Sequence, residues 1–131
     1  MYKIMLADDE GIVIDSLTFI IRQNFGENCE IASAKTGRSV IELAESFRPD
    51  IAFMDIQMPG MDGLKATRIL REYARFDNLP IIAMTAHAMN GDREKSLSVG
   101  MQDYIAKPIE PSVLLSTLAR WIHRDGRSPR R

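Results

Sequence analysis

Four short apolar runs each end in a residue that can do chemistry. Residues 3–7 close on Asp8-Asp9, residues 51–54 on Asp55, residues 81–84 on Thr85 and residues 104–106 on Lys107. In a parallel sheet, ligands bind just outside the carboxyl ends of the strands. If these runs are neighbouring parallel strands, their end residues share one edge. Two unit charges about 4 Å apart repel by roughly 4 kcal/mol at an effective dielectric near ~20, so three carboxylates there need neutralising. A divalent cation does this, and oxygen ligands without His or Cys fit Mg2+ better than zinc. Asp55 ends the most apolar run alone and is the best candidate for an oxygen nucleophile in phosphoryl transfer. Asp8 and Asp9 suit the metal, and Lys107 brings a positive charge for the transferring group. Thr85 offers a hydroxyl to a phosphoryl oxygen, and the small Ala86 after it leaves the site open.

Taken singly, each residue also has a structural explanation. Asp8, Asp9 and Glu10 precede a helical pattern and read equally well as helix N-caps. Lys107 reads as a solvated lysine, and Thr85 as a β-branched strand residue. Their occurrence together at successive run ends is what separates a site from coincidence.

The elements that must position them alternate along the whole chain. Val13, Leu17, Ile20, Ile21 and Phe25 recur at helical spacing, and Gly26 stops that helix. Residues 29–34 read as a second strand. Val40, Ile41, Ala44 and Phe47 mark a second helix ending before Pro49. The third strand, residues 51–55, is apolar on both faces and therefore central and covered on both sides. A turn-rich loop, residues 58–63, leads to a third helix over residues 64–73. The fourth strand follows Leu79-Pro80, and Asn90-Gly91-Asp92 opens a polar fourth helix ending at Gly100. A fifth strand spans residues 103–106, and Pro111 starts a last helix with Leu114, Leu118, Trp121 and Ile122 on one face. Five strands alternating with five helices, joined by right-handed crossovers, make a doubly wound α/β domain with helices on both faces of a parallel sheet.

Composition sets the outer limits. A chain of 131 residues, 45% hydrophobic and 27% charged, builds one ordinary globular domain. The net charge of -1 points to neither nucleic acid nor a membrane surface as partner. The single cysteine, Cys29, forms no internal disulfide and reads as a small strand hydrophobe, in keeping with a reducing compartment. The apolar opening is too short for a signal peptide and no run is long enough to span a bilayer, so the expected location is cytoplasmic. The basic end, residues 124–131, reads as a flexible tail or linker stub.

Residues 6–10, 53–63, 82–86 and 104–108 together resemble the receiver (phosphoacceptor) domain of two-component response regulators, over about residues 2–123. The resemblance implies a flavodoxin-like fold with strand order 2-1-3-4-5. It implies that Asp55 accepts a phosphoryl group from a phosphohistidine on a sensor histidine kinase or a histidine phosphotransfer protein. It further implies that Asp9 binds Mg2+ directly, Asp8 through water and Gln57 through its backbone carbonyl. Lys107 then contacts the phosphoryl group, with the Lys107-Pro108 bond expected cis. Thr85 follows the phosphoryl oxygens and Tyr104 swings inward behind it, remodelling the fourth helix, fifth strand and fifth helix as an output face. Gln57 and His87 flank the phosphoryl group and tune its hydrolysis, although His87 also reads as a plain loop histidine. A domain of this kind catalyses only its own phosphorylation and dephosphorylation. Its output goes to an effector protein or a homodimer.

The opening residues 1–9 look like receivers that front transcription factors, whereas residues 85–94 and 99–104 look like receivers attached to hybrid sensor kinases. Three other classes fit these residues less well. A haloacid-dehalogenase enzyme needs an acid two residues after its nucleophile, and Asp55 is followed by Ile56-Gln57. A degenerate receiver, acting as a phosphorylation-independent docking module, is expected to lack one of Asp9, Asp55 or Lys107. A nicotinamide-binding domain needs a G-x-G-x-x-G after the first strand, which is absent.

Overall fold

Alternation of apolar side chains along the first strand divides the molecule into two cores. In the computed structural model, which describes residues 1–86 and 91–122, Ile4 and Leu6 face one core and Met5 and Ala7 the other. The strands are β1 (Tyr2–Ala7), β2 (Cys29–Ala34), β3 (Ile51–Asp55), β4 (Ile81–Thr85) and β5 (Asp103–Ala106). They form one sheet in the order β2-β1-β3-β4-β5, and every pairing is parallel. The helices are α1 (Gly11–Phe25), α2 (Gly37–Phe47), α3 (Gly63–Leu70), α4 (Arg93–Ser98) and α5 (Pro111–Ile122). This is the doubly wound flavodoxin-like fold expected from the alternation and the resemblance.

One core packs α1 and α5, through Ile14, Leu17, Ile21, Leu114 and Leu118, on Ile51, Phe53, Ile82 and Met84. The other packs α2 and α3, through Val40, Ala44, Ala66 and Leu70, on Ala52, Met54, Ile81 and Ala83. Strand β3 is buried along its whole length, as a central strand covered on both faces must be. Helix α2 begins with a reciprocal capping box between Thr36 and Ser39, and α3 with the Asp62 carboxylate accepting the Lys65 N–H at 2.8 Å.

Two helices are shorter than their sequence patterns. The third ends at Leu70, not Tyr73, because the Glu72 and Tyr73 N–H groups turn to carbonyls three residues back and the chain enters a short 3-10 turn at Ala74–Phe76. The fourth begins at Arg93 and ends at Ser98. Past its end, Gly100 at φ +101° lies in the left-handed region that stops a right-handed helix. Residue Cys29 is buried at the start of β2. The basic end, residues 124–131, lies outside the described residues, and no described helix is long and apolar enough to cross a membrane.

Candidate functional site

The two central strands, β1 and β3, pair from Ile4↔Ile51 to Ala7↔Met54, so their ends emerge side by side. Asp8 leaves β1 fully buried, while Asp9 beside it is exposed. Asp55 closes β3 at 5% exposure. Asp8 does not cap α1: its Oδ1 accepts the Glu10 N–H at 2.9 Å, and Glu10 in the cap position makes no side-chain cap. The structural reading of this acid pair therefore fails for Asp8. Behind Asp55, α3 begins in close contact with the end of β3. A Cβ on Gly63 would sit 2.2 Å from the Asp55 carbonyl oxygen and 2.8 Å from Met54 Cγ, so only glycine lets the helix approach this far.

Lys107 reaches the same point from the end of β5. Its N–H donates to the Thr85 carbonyl at 2.8 Å, and the following peptide bond to Pro108 is cis, as expected from the resemblance. The ammonium nitrogen lies 2.8 Å from Asp8 Oδ2 and 3.3 Å from Asp55 Oδ2, with Glu10 Oε1 farther off at 3.8 Å. Burial pulls the Lys107 ammonium down, but its hydrogen bond to Asp8 and the Asp55 charge outweigh that and hold it above the ordinary lysine value. Burial pushes the Asp55 carboxyl up to about 6. The Gln57 N–H, which donates to Asp55 Oδ1 at 3.0 Å, opposes that rise, Asp8 adds to it and Lys107 opposes it.

The donor set fits a hard divalent cation. Asp8, Asp9 and Asp55 each offer a carboxylate oxygen within 4.8 Å of the other two, and they are the group of this kind among the described residues. With all three ionised and Lys107 protonated, the formal charge is about -2, and a second positive charge of the right size is still called for. The exposed mouth is a cavity of about 300 Å³ lined by Asp9, Glu10, Asp55, Gln57, Ala86 and Lys107. It holds carboxylate, amide and ammonium groups around open space of a size for a phosphoryl group.

Of the residues expected at the site, Asp8, Asp9, Asp55, Gln57, Ala86 and Lys107 are brought together. Thr85 sits at the end of β4, 1% exposed, but its hydroxyl is turned to Asp92 Oδ2 at 2.5 Å. Tyr104 is half-buried on β5, under the Arg93 guanidinium at 5.7 Å from its ring centre. His87 lies outside the described residues. Neither Asp92 nor Arg71 was legible as a structural partner. Arg71 donates from Nη2 to the Leu79 and Gly100 carbonyls, both at 2.8 Å, and to Gln102 Oε1 at 2.9 Å, tying the end of α3 to the segments that lead into β4 and β5. No motif marks such a residue, because its partners are backbone carbonyls brought near by the fold.

Comparison with known proteins agrees with this geometry. The family model described as the response regulator receiver domain matches residues 4–119. The polar-differentiation response regulator DivK of Brucella anthropi is 36% identical over 120 residues, covering 92% of this chain and 95% of that protein. The signal transduction histidine-protein kinase BarA of Escherichia coli K12 is 43% identical over 95 residues, 72% of this chain. That match spans only 10% of the kinase's length. Among solved structures, the receiver domain of a sensor histidine kinase of Pseudomonas aeruginosa, crystallised with a magnesium ion coordinated in its active site cleft, is 35% identical with a TM-score of 0.83. It aligns over 92% of this chain and 97% of that one. The carboxylate-lysine edge thus sits in a recognised setting: the chain belongs to the response regulator receiver domain family of two-component signalling.

Proposed function

We propose that this domain is a phosphoacceptor switch in which Asp55 takes a phosphoryl group from a phosphohistidine on a sensor kinase or phosphotransfer protein. The observation that carries this reading is the convergence of Asp55, two further carboxylates and Lys107 on one open mouth. In the transfer, an Asp55 carboxylate oxygen forms a bond to phosphorus as the phosphorus-nitrogen bond breaks. The imidazole leaves with the electron pair. Asp8, Asp9 and Asp55 are the side chains that would hold Mg2+, with the Gln57 backbone carbonyl as a further oxygen. When bound, the cation neutralises charge that develops on the phosphoryl oxygens. Lys107 holds its ammonium 3.3 Å from Asp55 Oδ2 and stabilises the same oxygens from the other side.

The donor has a surface beside the mouth. An apolar groove of about 490 Å³ runs from Ile12, Ser16 and Ile20 on α1 to Pro108 and Ile109, with Lys107 in its wall. A helix carrying the phosphohistidine fits such a groove with its imidazole toward Asp55. The aspartyl phosphate is lost to water, with Gln57 at the mouth affecting that attack. The domain acts on no other substrate.

Incubating the chain with acetyl phosphate and Mg2+ and measuring intact mass tests the reading. One phosphoryl addition is expected, lost with EDTA and in Asp55→Asn. No addition, or an equal one in Asp55→Asn, overturns it and leaves the docking-module alternative, for which the presence of Asp9, Asp55 and Lys107 has no use.

A further inference from the structure

Thr85 already has an acceptor at rest. Its hydroxyl donates to Asp92 Oδ2 at 2.5 Å, and both residues are buried, Thr85 to 1% and Asp92 to 8% exposure. A hydroxyl has one proton to donate. While Asp92 holds it, that proton is not available to a phosphoryl oxygen on Asp55, and the two anionic acceptors compete for it.

The neighbouring residue touches the other switch position. Arg93, at the first position of α4, stacks its guanidinium over the Tyr104 ring. The dipeptide Asp92-Arg93 therefore contacts both Thr85 and Tyr104. Helix α4 contributes no residue to either apolar core; its buried side chain is Ser96, whose hydroxyl donates to the Asp92 carbonyl at 2.7 Å. Polar bonds, made or broken outright, hold the start of this helix. Apolar packing, which tolerates sliding, contributes little there.

We infer that Asp92 is a positioning residue that keeps the domain in its resting state by sequestering the Thr85 hydroxyl. Formation of the phosphoryl group on Asp55 draws that proton away, breaks the Thr85–Asp92 bond and frees the entry to α4. Arg93 moves with Asp92, which loosens the cover over Tyr104. This rests on the phosphoacceptor reading above and names the interaction that the switch must overcome.

Beryllofluoride with Mg2+ stands in for the phosphoryl group, and its apparent affinity is read by fluorine NMR on the full chain. Asp92→Ala is expected to bind about tenfold tighter than the parent, because the competing acceptor is gone. Asp92→Asn keeps a neutral, weaker acceptor and is expected to gain about threefold. It carries the test if Asp92→Ala does not fold. In a Thr85→Val background, which has no hydroxyl, Asp92→Ala is expected to change affinity by less than about twofold. A purely structural or long-range charge effect of Asp92 would persist in that background. Affinity unchanged or weakened in both Asp92 variants overturns the inference, as does a gain of the same size in Thr85→Val. If the parent chain neither binds beryllofluoride nor gains mass with acetyl phosphate, the phosphoacceptor reading itself fails and takes the inference with it.

Discussion

The Lys107 ammonium lies 2.8 Å from Asp8 Oδ2, across 99 positions of sequence. Asp8 is fully buried and the Lys107 side chain only 17% exposed, so the pair is shielded from solvent. It brings the end of β5 back to the end of β1 although β3 and β4 lie between them in the sheet. Lys107 is thus as much a structural counter-ion for Asp8 as a ligand for anything bound at Asp55.

Removing that ammonium leaves two buried carboxylates without a counter-charge, each keeping only a backbone N–H bond. Lys107→Ala is expected to cost about 2 kcal/mol at pH 7, read from urea unfolding. The loss should shrink on adding Mg2+, which supplies positive charge to the same carboxylates. A loss that Mg2+ leaves unchanged would show that Lys107 stabilises by packing alone.

Asp55 sets a pH dependence whose sign follows from its environment. Burial raises its carboxyl from 3.8 to about 6, so between those values the folded chain binds more protons than the unfolded one. Stability therefore falls as pH rises through that window in metal-free buffer. Asp55→Asn carries no such charge and is expected to be more stable than the parent by about 1 to 2 kcal/mol at pH 7. The difference should vanish near pH 4. Denaturant midpoints at both pH values check this, and a pH-independent difference counts against it.

Gly63 is a steric prediction. A methyl group there meets the Asp55 carbonyl oxygen at 2.2 Å, so α3 or the end of β3 must shift. Gly63→Ala is expected to destabilise by about 2 to 3 kcal/mol. It should also slow acetyl phosphate labelling of Asp55, since the displaced backbone carries that carboxylate. Unchanged stability and labelling would mean the helix retreats without moving the site.

Arg71 tests a contact outside the site. Its planar guanidinium reaches the Leu79 and Gly100 carbonyls and Gln102 at once, whereas a lysine ammonium has no such fork. Arg71→Lys should cost about 2 kcal/mol by chemical denaturation while labelling of Asp55 is retained. A near-neutral change would show that water replaces the lost bonds.

Most of the fold was legible because burial imposes a period. Residues 51–55 are apolar on both faces only if helices cover both, and β3 is buried throughout. The helix ends were less legible. A pattern continuing to Tyr73 could not show that Glu72 and Tyr73 bond three residues back, nor could composition show the left-handed backbone at Gly91. Within the site, residue type and strand-end position sufficed for Asp8, Asp9, Asp55 and Lys107. The acceptor for Thr85 was not legible, since residue type alone does not say which side chain a buried hydroxyl meets.

By itself the sequence determined which groups stand at the strand ends, because apolar alternation places a residue on a strand and the chain's crossovers bring those ends to one edge. The tertiary structure decided what each group touches: Lys107 bridging Asp8 and Asp55, the Asp55 carboxyl raised by burial, and the Thr85 hydroxyl held by Asp92. Those properties depend on distance and desolvation between residues far apart in sequence, and neither quantity exists until the two cores have closed around the sheet.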